Sequence, residues 1–373
     1  MNFIPLRVIH VGPGRAARGG IASLLAAMED NGELFKAKGI SLHFLSTLRN
    51  SECGNFRKII EFFCAICHIL LSIVRSNIDI VHLHSALKGS LIRKIIISHF
   101  CIITKTPYIF QVHNGGFFEN YLNSNFLFRF FIRRSLRYAN YVIVLSHHMQ
   151  QIALSSGLLE SERCLLIYNG IVDPVKNDFS EEYKRKYEKS ESIRIVFLGL
   201  ISQDKGILTL LDAIKIIDKN HLKFRVDVYG NGNIPKFEMD VVSRELEDIV
   251  KYGGWINGDA KRHVMSLADI FVLPSRSEGF SIAVLEAMAF GLTIVATSIP
   301  GIVDAVRDGI EAKLVSPNDA AALADTMRSL MTNPEFRERL GAAARQRYLA
   351  HFTMEEMVTQ LQKTYFKCAR SAI

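Results

Sequence analysis

Short, continuous apolar runs rich in β-branched residues alternate with helical stretches along this chain, and the alternation breaks once. RVIHVG (Arg7 to Gly12) reads as a buried strand ending at glycine, and IASLLAAMED follows as a helix. DIVHLHS, YIFQVHNG, YVIVLS and CLLIYNG are further short strands, with a helix through Met149 and Ala153 before the last. The polar run VDPVKNDFSEEYKRKYEKSES then interrupts. After it the pattern restarts with IRIVFLG, the helix ILTLLDAIKII, and the strands FRVDVYGNG, ADIFVLPS and TIVATSIPG. Apolar strands alternating with helices argue a parallel sheet covered on both faces. At 373 residues the chain exceeds one ordinary core. We therefore expect two doubly wound, Rossmann-like α/β domains facing a cleft: residues 1–172, a linker over 173–191, residues 192–352, and a helix over 353–373 that packs back toward the first domain. Ligands of such sheets bind beyond the carboxyl ends of the strands.

Charge is distributed unevenly. Residues 1–173 hold 18 Lys and Arg against 10 Asp and Glu, which is the whole net charge of +8. A basic half implies an anionic partner, and the plain alternative is a solvated surface. Six cysteines make no disulfide framework, and MNFIPLRVIHVG enters a strand directly without a secretory signal, so a reducing, cytoplasmic location is expected. Cys64-Ala-Ile-Cys67-His68 matches a haem attachment pattern but lies inside an apolar helical stretch, and we read it as helix. No run reaches the ~20 apolar residues of a membrane span; Ile59 to Val74 carries Glu61 and His68.

The most informative stretch is SRSEGFSIAVLEAMAFG, residues 275–291. Pro274 and the Ser-Arg-Ser cluster end a strand, Gly279 permits a tight turn, Ser281 can cap the helix and Gly291 can stop it. Glu278 then lies in the loop and Glu286 in the helix, and both can face the strand ends. First-turn amides of Phe280, Ser281 and Ile282, with the helix dipole, favour a phosphate. A carboxylate accepts well from vicinal hydroxyls, as acidic residues do for ribose. The geometry suits a nucleotide sugar; the alternative is a capped helix with two solvated glutamates.

These residues, with VLPS before them and ATSIPGIVDAVRDG after, resemble the retaining GT-B glycosyltransferases of family four, the bacterial surface-polysaccharide type with an E-x7-E motif. FLGLISQDKGILTLLDAI, VDVYGNG, Asn169-Gly170, Gly19-Gly20, QVHNGG and VLSHHMQQIALSSG fit the same pattern, so the resemblance covers nearly the whole chain. It implies that Glu286 binds the donor ribose and Glu278 the donor sugar. It implies that the amides of Phe280, Ser281 and Ile282 hold the diphosphate and Lys205 neutralises it. Gly19 and Gly20 would let backbone approach the phosphates, and His113 would sit beside the transferred sugar. Leu200 departs from the pattern, because the family commonly has arginine there; Arg276 and Arg18 are the candidates to replace it. The resemblance implies a retaining, metal-independent transferase with no cofactor beyond its nucleoside-diphosphate-sugar donor, UDP being preferred to GDP. His82-x-His84 is read as a strand-end pair and not as a metal site.

The acceptor is expected on the first domain. Residues 123–140 mix phenylalanines with Arg129, Arg133, Arg134 and Arg137, a pairing suited to anionic lipid headgroups, against the plain reading of a core helix with a basic solvated face. A lipid-linked saccharide acceptor at the inner membrane, in O-antigen, capsule or exopolysaccharide synthesis, fits both features. No nucleic-acid recognition module is visible. The rival readings are a non-catalytic binding module, encouraged only by Leu200, and two enzymes: a nucleotide-sugar epimerase on a similar fold, and an NAD(P)-dependent oxidoreductase. The oxidoreductase rests on Gly12-Pro13-Gly14-Arg15-Ala16-Ala17, which matches G-x-G-x-x-A, although His43 and Ser46 fill the region where an acidic strand end is required.

Overall fold

The computed structural model describes residues 5–17, 19–47, 55–75, 78–86, 89–175, 192–217 and 222–370. Most of the expected linker, residues 176–191, and Arg18 lie outside them. The chain forms two compact units: Met1–Val172 with Met354–Ile373, and Asp173–Thr353.

The first unit is a six-stranded parallel sheet built from β1 (Leu6–Gly12), β2 (Ile40–Ser46), β3 (Ile80–Ser85), β4 (Tyr108–Val112), β5 (Tyr141–Val144) and β6 (Cys164–Leu166). Its spatial order is β2-β1-β3-β4-β5-β6, so the direction of winding reverses between β1 and β3. Val8, Val11, Val81, Leu83, Ile109 and Phe110 are fully buried, as strands covered on both faces require. The amphipathic helix Met354–Arg370 closes this unit. Met354, Met357, Val358, Leu361 and Tyr365 join a core with Val8, Leu25, Phe35 and Ile143. The last helix of the chain therefore completes the first hydrophobic core.

The second unit contains β7 (Ile193–Leu198), β8 (Phe224–Tyr229), β9 (Val250–Tyr252), β10 (Ile270–Leu273), β11 (Thr293–Thr297) and β12 (Ala312–Val315). Their order is β12-β11-β10-β7-β8-β9, all parallel where paired. Counted from β7, this is the 3-2-1-4-5-6 order of dinucleotide-binding folds, with the reversal between β7 and β10. Asp173 at the start of this unit takes both arms of Arg345 at 2.7 Å, fastening the entering chain to the helix Pro334–His351. The edge strands β2, β9 and β12 were not read from the sequence; β9 and β12 span only three and four residues.

Truncating Leu361, 2% exposed, removes a member of the core that the last helix shares with the first sheet. Leu361→Ala is expected to destabilise the first unit by about 2–5 kcal/mol, read by denaturant unfolding. An effect below about 0.5 kcal/mol, the range of surface substitutions, would mean that the helix is not part of that core.

Candidate active site

In the second unit the loops after β7 and β10 leave the sheet on either side of the reversal. Gly206 has φ 73°, and a Cβ there would stand 1.9 Å from the Pro274 carbonyl oxygen. Only glycine lets the Lys205 turn rest on the end of β10. The Arg276 amide donates to the Asp204 carbonyl at 2.8 Å, joining the two loops again. Lys205 Nζ then donates to Glu278 Oε1 at 2.5 Å, and Ser275 Oγ donates to the same oxygen at 2.8 Å. Thr297 Oγ1, at the end of β11, holds the Ser275 carbonyl at 2.5 Å. The Glu278 side chain is 8% exposed and that of Lys205 27%, so the pair is largely withdrawn from water while its cation stays reachable. Gly301, φ 84°, packs on the carbonyls of Glu278 and Gly279; a Cβ there would lie 2.5 Å from the Gly279 oxygen.

The helix after this loop spans Ile282–Ala289 and ends at Gly291, φ 59°. Ser281 occupies the N-cap position, but its side chain accepts no capping hydrogen bond, which corrects the expectation that it caps the helix. The amides of Ala283 and Val284, which a capping serine would satisfy, therefore have no side-chain cap from that residue. Phe280 is buried and packs against Phe352. Glu286 is ion-paired to Lys261, on the helix Gly258–Leu267. Lys261 was not found by sequence reasoning, since a lysine 25 residues before its partner carries no motif. The structure thus brings Lys205 and Glu278 together, and places Glu286 on the following helix with its own cation.

Leu200 is 54% exposed and offers no charge to this site. Arg276 lies on the same pair of loops, and the Gln203 carbonyl, in the orientation its neighbours require, accepts from Arg276 Nη1 at 3.0 Å. A second cation, distant in sequence, therefore contacts the Gln203–Lys205 turn, from a different position than the arginine that the family pattern has.

The remaining predicted residues lie in the first unit. Gly19 (φ 140°) is the N-cap of the helix Gly20–Asp30. That helix starts three residues beyond Ala17, whereas the dinucleotide fingerprint needs the helix to open at its third small residue. The Gly12-Pro13-Gly14 match therefore lacks its structural context. Cys64, Cys67 and His68 are exposed on the helix Asn55–Val74.

His113 follows directly on β4 and is 9% exposed. Its Nε2 bonds His84 Nδ1 at 2.9 Å, His84 Nε2 bonds His10 Nδ1 at 2.8 Å, and His10 Nε2 meets the Tyr365 hydroxyl at 3.0 Å. The same hydroxyl meets His82 Nδ1 at 2.7 Å. Five buried side chains from β1, β3, the end of β4 and the last helix form one hydrogen-bonded chain. Alternation puts His82 and His84 on one face of β3, and the parallel register sets His10 opposite His82. Burial holds His10 and His113 down to about 3, Lys94 adding to the effect on His113. Burial followed by neighbouring histidines lowers His82 and His84 well below the usual value. Burial also brings Lys94 down to about 7; its amine donates to Thr47 Oγ1 at 2.9 Å. Among the described residues, His10, His82 and His84 are the one group close enough to hold a metal ion, their nitrogens within 4.8 Å of one another. An ion there would have to break the His10–His84 bond, so the arrangement is first a hydrogen-bonded stack.

The comparisons with known proteins agree with this architecture. Residues 15–173 match the Glycosyltransferase Family 4 model, and residues 179–347 match the model for glycosyl transferases group 1. An uncharacterized 41.2 kDa protein in the cps region of Klebsiella pneumoniae is 24% identical, covering 87% of this chain and 90% of that protein. The N-acetyl-alpha-D-glucosaminyl L-malate synthase of Bacillus anthracis is 25% identical over 79% of this chain and 76% of its own. The crystal structure of Anabaena HepE in complex with UDP and glucose shares the fold, with a TM-score of 0.74 at 16% identity, covering 96% of this chain and 99% of that one. The chain belongs to the GT-B glycosyltransferases of family four.

The buried histidines make stability depend on pH. Their folded pKa values lie below the unfolded value near 6.5, so the unfolded state binds more protons as pH falls. The stability they confer is complete above about pH 6.5 and declines toward about pH 3, by ~1.4 kcal/mol per pH unit for each histidine. Thermal stability is expected to fall as pH drops from about 6.5 to about 5, a window above most carboxylate titration, and His10→Phe is expected to flatten the slope. A flat wild-type profile across that window would contradict the neutral stack.

Proposed function

We propose that this glycosyltransferase moves a sugar, with retention at the anomeric carbon, from a nucleoside-diphosphate sugar to a lipid-linked saccharide in surface polysaccharide synthesis. The observation that carries the donor half is the Lys205–Glu278 pair beside the strand-order reversal of the second unit. A diphosphate arriving there offers Lys205 a more highly charged partner than Glu278. Exchange of partners would leave Lys205 on the phosphates and free the Glu278 carboxylate for sugar hydroxyls. The helix start at Ser281 and Ile282 adds positive potential, and Glu286, steadied by Lys261, accepts from the ribose hydroxyls. Departure of the nucleoside diphosphate develops negative charge, which Lys205 and the helix start stabilise; these groups, with Arg276, supply the positive charge that the reading needs without a metal. In the step itself the anomeric C–O bond to phosphate breaks, and the acceptor oxygen bonds to the same face. The leaving phosphate oxygen takes the acceptor's proton. Gly19 and Gly20 are assigned to phosphate approach and His113 to the sugar.

Support for this reading comes from the relatives. HepE holds UDP and glucose in its crystal structure, and the Bacillus anthracis enzyme is named for an alpha-linked product. The relative in a cps region favours a polysaccharide setting, and UDP is the preferred base. Exposed Arg129, Arg133 and Arg137, with partly exposed Arg134, are assigned to the inner-membrane surface. No helix of the described residues is long and apolar enough to cross a membrane.

Glu286→Ala is expected to weaken nucleoside-diphosphate binding about 10- to 100-fold, the worth of charge-assisted hydrogen bonds. Glu278→Ala is expected to lower kcat more than it weakens that binding, and Lys205→Ala to cost about 10²–10³ in kcat. Calorimetric titration and steady-state kinetics measure both. Equal, small effects from both glutamates would remove the assignment, and a covalent glycosyl group trapped on either would replace the same-face mechanism with double displacement.

A further inference from the structure

The helices Asn55–Val74, Gly89–Thr104 and Phe126–Arg137 follow β2, β3 and β4 respectively, and each leads to the next strand in the same direction across the first sheet. Right-handed crossovers put all three on one face. That face is not polar outside. Ile103 is 75% exposed, Phe126 84% and Phe63 61%. Between the second and third of these helices runs an open groove of about 520 Å³, lined by Ile92, Ile96, His99, Ile103, Phe128 and Phe131 among others. His99 is its one polar side chain. His99 Nδ1 bonds the Ile95 carbonyl at 2.8 Å, its ring edge meets Phe131, and its Nε2 has no partner among the described residues.

Such a lining excludes most occupants. Ordered water needs two to four polar partners, and the groove offers about one. A polar peptide would leave its backbone groups unpaired. An apolar, elongated chain loses nothing by entering, and the volume falls within the range of ligand sites. The charge at the groove is one-signed: the helix that supplies Phe128 and Phe131 carries four arginines and no acidic residue. We propose that this groove seats the hydrocarbon chain of an anionic lipid, with the arginines of the same helix taking its phosphate. This deepens the lipid-linked-acceptor reading and rests on it for its biological meaning, since it names where the acceptor's chain is held. The polar portion of such a lipid would stay at the rim, with Arg129 and Arg133 in solvent reach.

The test uses farnesyl phosphate, kept below its aggregation threshold, titrated into the full-length protein by calorimetry. Farnesol and inorganic phosphate are the comparison probes. Farnesyl phosphate is expected to bind at least about tenfold more tightly than either probe. Ile96→Trp, which fills the groove, is expected to weaken it about tenfold or more, and so is Ile103→Asp at an exposed position whose change leaves the core intact. Arg129→Glu with Arg133→Glu is expected to weaken farnesyl phosphate while leaving farnesol unchanged. No farnesyl phosphate binding by the wild type, or binding indifferent to Ile96→Trp and Ile103→Asp, overturns the proposal. So does concentration-dependent dimerisation in sedimentation that Ile103→Asp abolishes, because a second copy would then fill the groove. UDP titrated into the same samples separates the two readings: loss of UDP binding with lipid binding intact sinks the donor assignment and leaves the groove.

Discussion

A parallel sheet buried on both faces leaves only the carboxyl ends of its strands for polar chemistry. The placement of Lys205 and Glu278 follows from that constraint. In the second unit it gathers the turn after β7 and the loop after β10 onto one ion pair, Lys205 with Glu278. The glycines at 206 and 301 exist for the same reason: side chains there would collide with the backbone that forms the pair's floor. The site is thus a packing solution before it is a chemical one.

The two units use charge in opposite ways. The second withdraws two cation–carboxylate pairs partly from water, Lys205–Glu278 and Lys261–Glu286. Each pair lets a charged group be held partly out of water without an uncompensated burial cost. The first unit buries four imidazoles without a carboxylate in their hydrogen-bonded chain, so they stay neutral. Tyr365, brought in by the last helix of the chain, ties that chain of rings to the far end of the sequence. The orientation of His113 therefore depends on residues at both termini of the first unit.

Much of this was legible from residues alone, for physical reasons. Continuous apolar strands alternating with helices can only be covered parallel sheets. The helix Ile282–Ala289 was fixed by Ser281 and Gly291, although Ser281 turned out not to cap it through its side chain. The short edge strands were not legible, because strands of three or four residues, half solvated, carry no periodicity. Lys261 and the partnership of His10 with His84 were also hidden. Both depend on which elements become neighbours, and neither sequence distance nor residue type reports that. The apolar groove was half visible: the phenylalanines and arginines of one wall stood out, whereas the isoleucines of the other, on Gly89–Thr104, carry no motif.

The central claim is that the second unit binds a nucleoside diphosphate at the Lys205–Glu278 loops. The most direct measurement is the thermal stability of the purified protein against UDP, GDP, ADP, NAD and NADP. A ligand that binds only the folded state raises stability by mass action. The account predicts a shift with a nucleoside diphosphate, UDP first, that Lys205→Ala abolishes. A shift with NAD or NADP alone, or a UDP shift indifferent to Lys205, would contradict it.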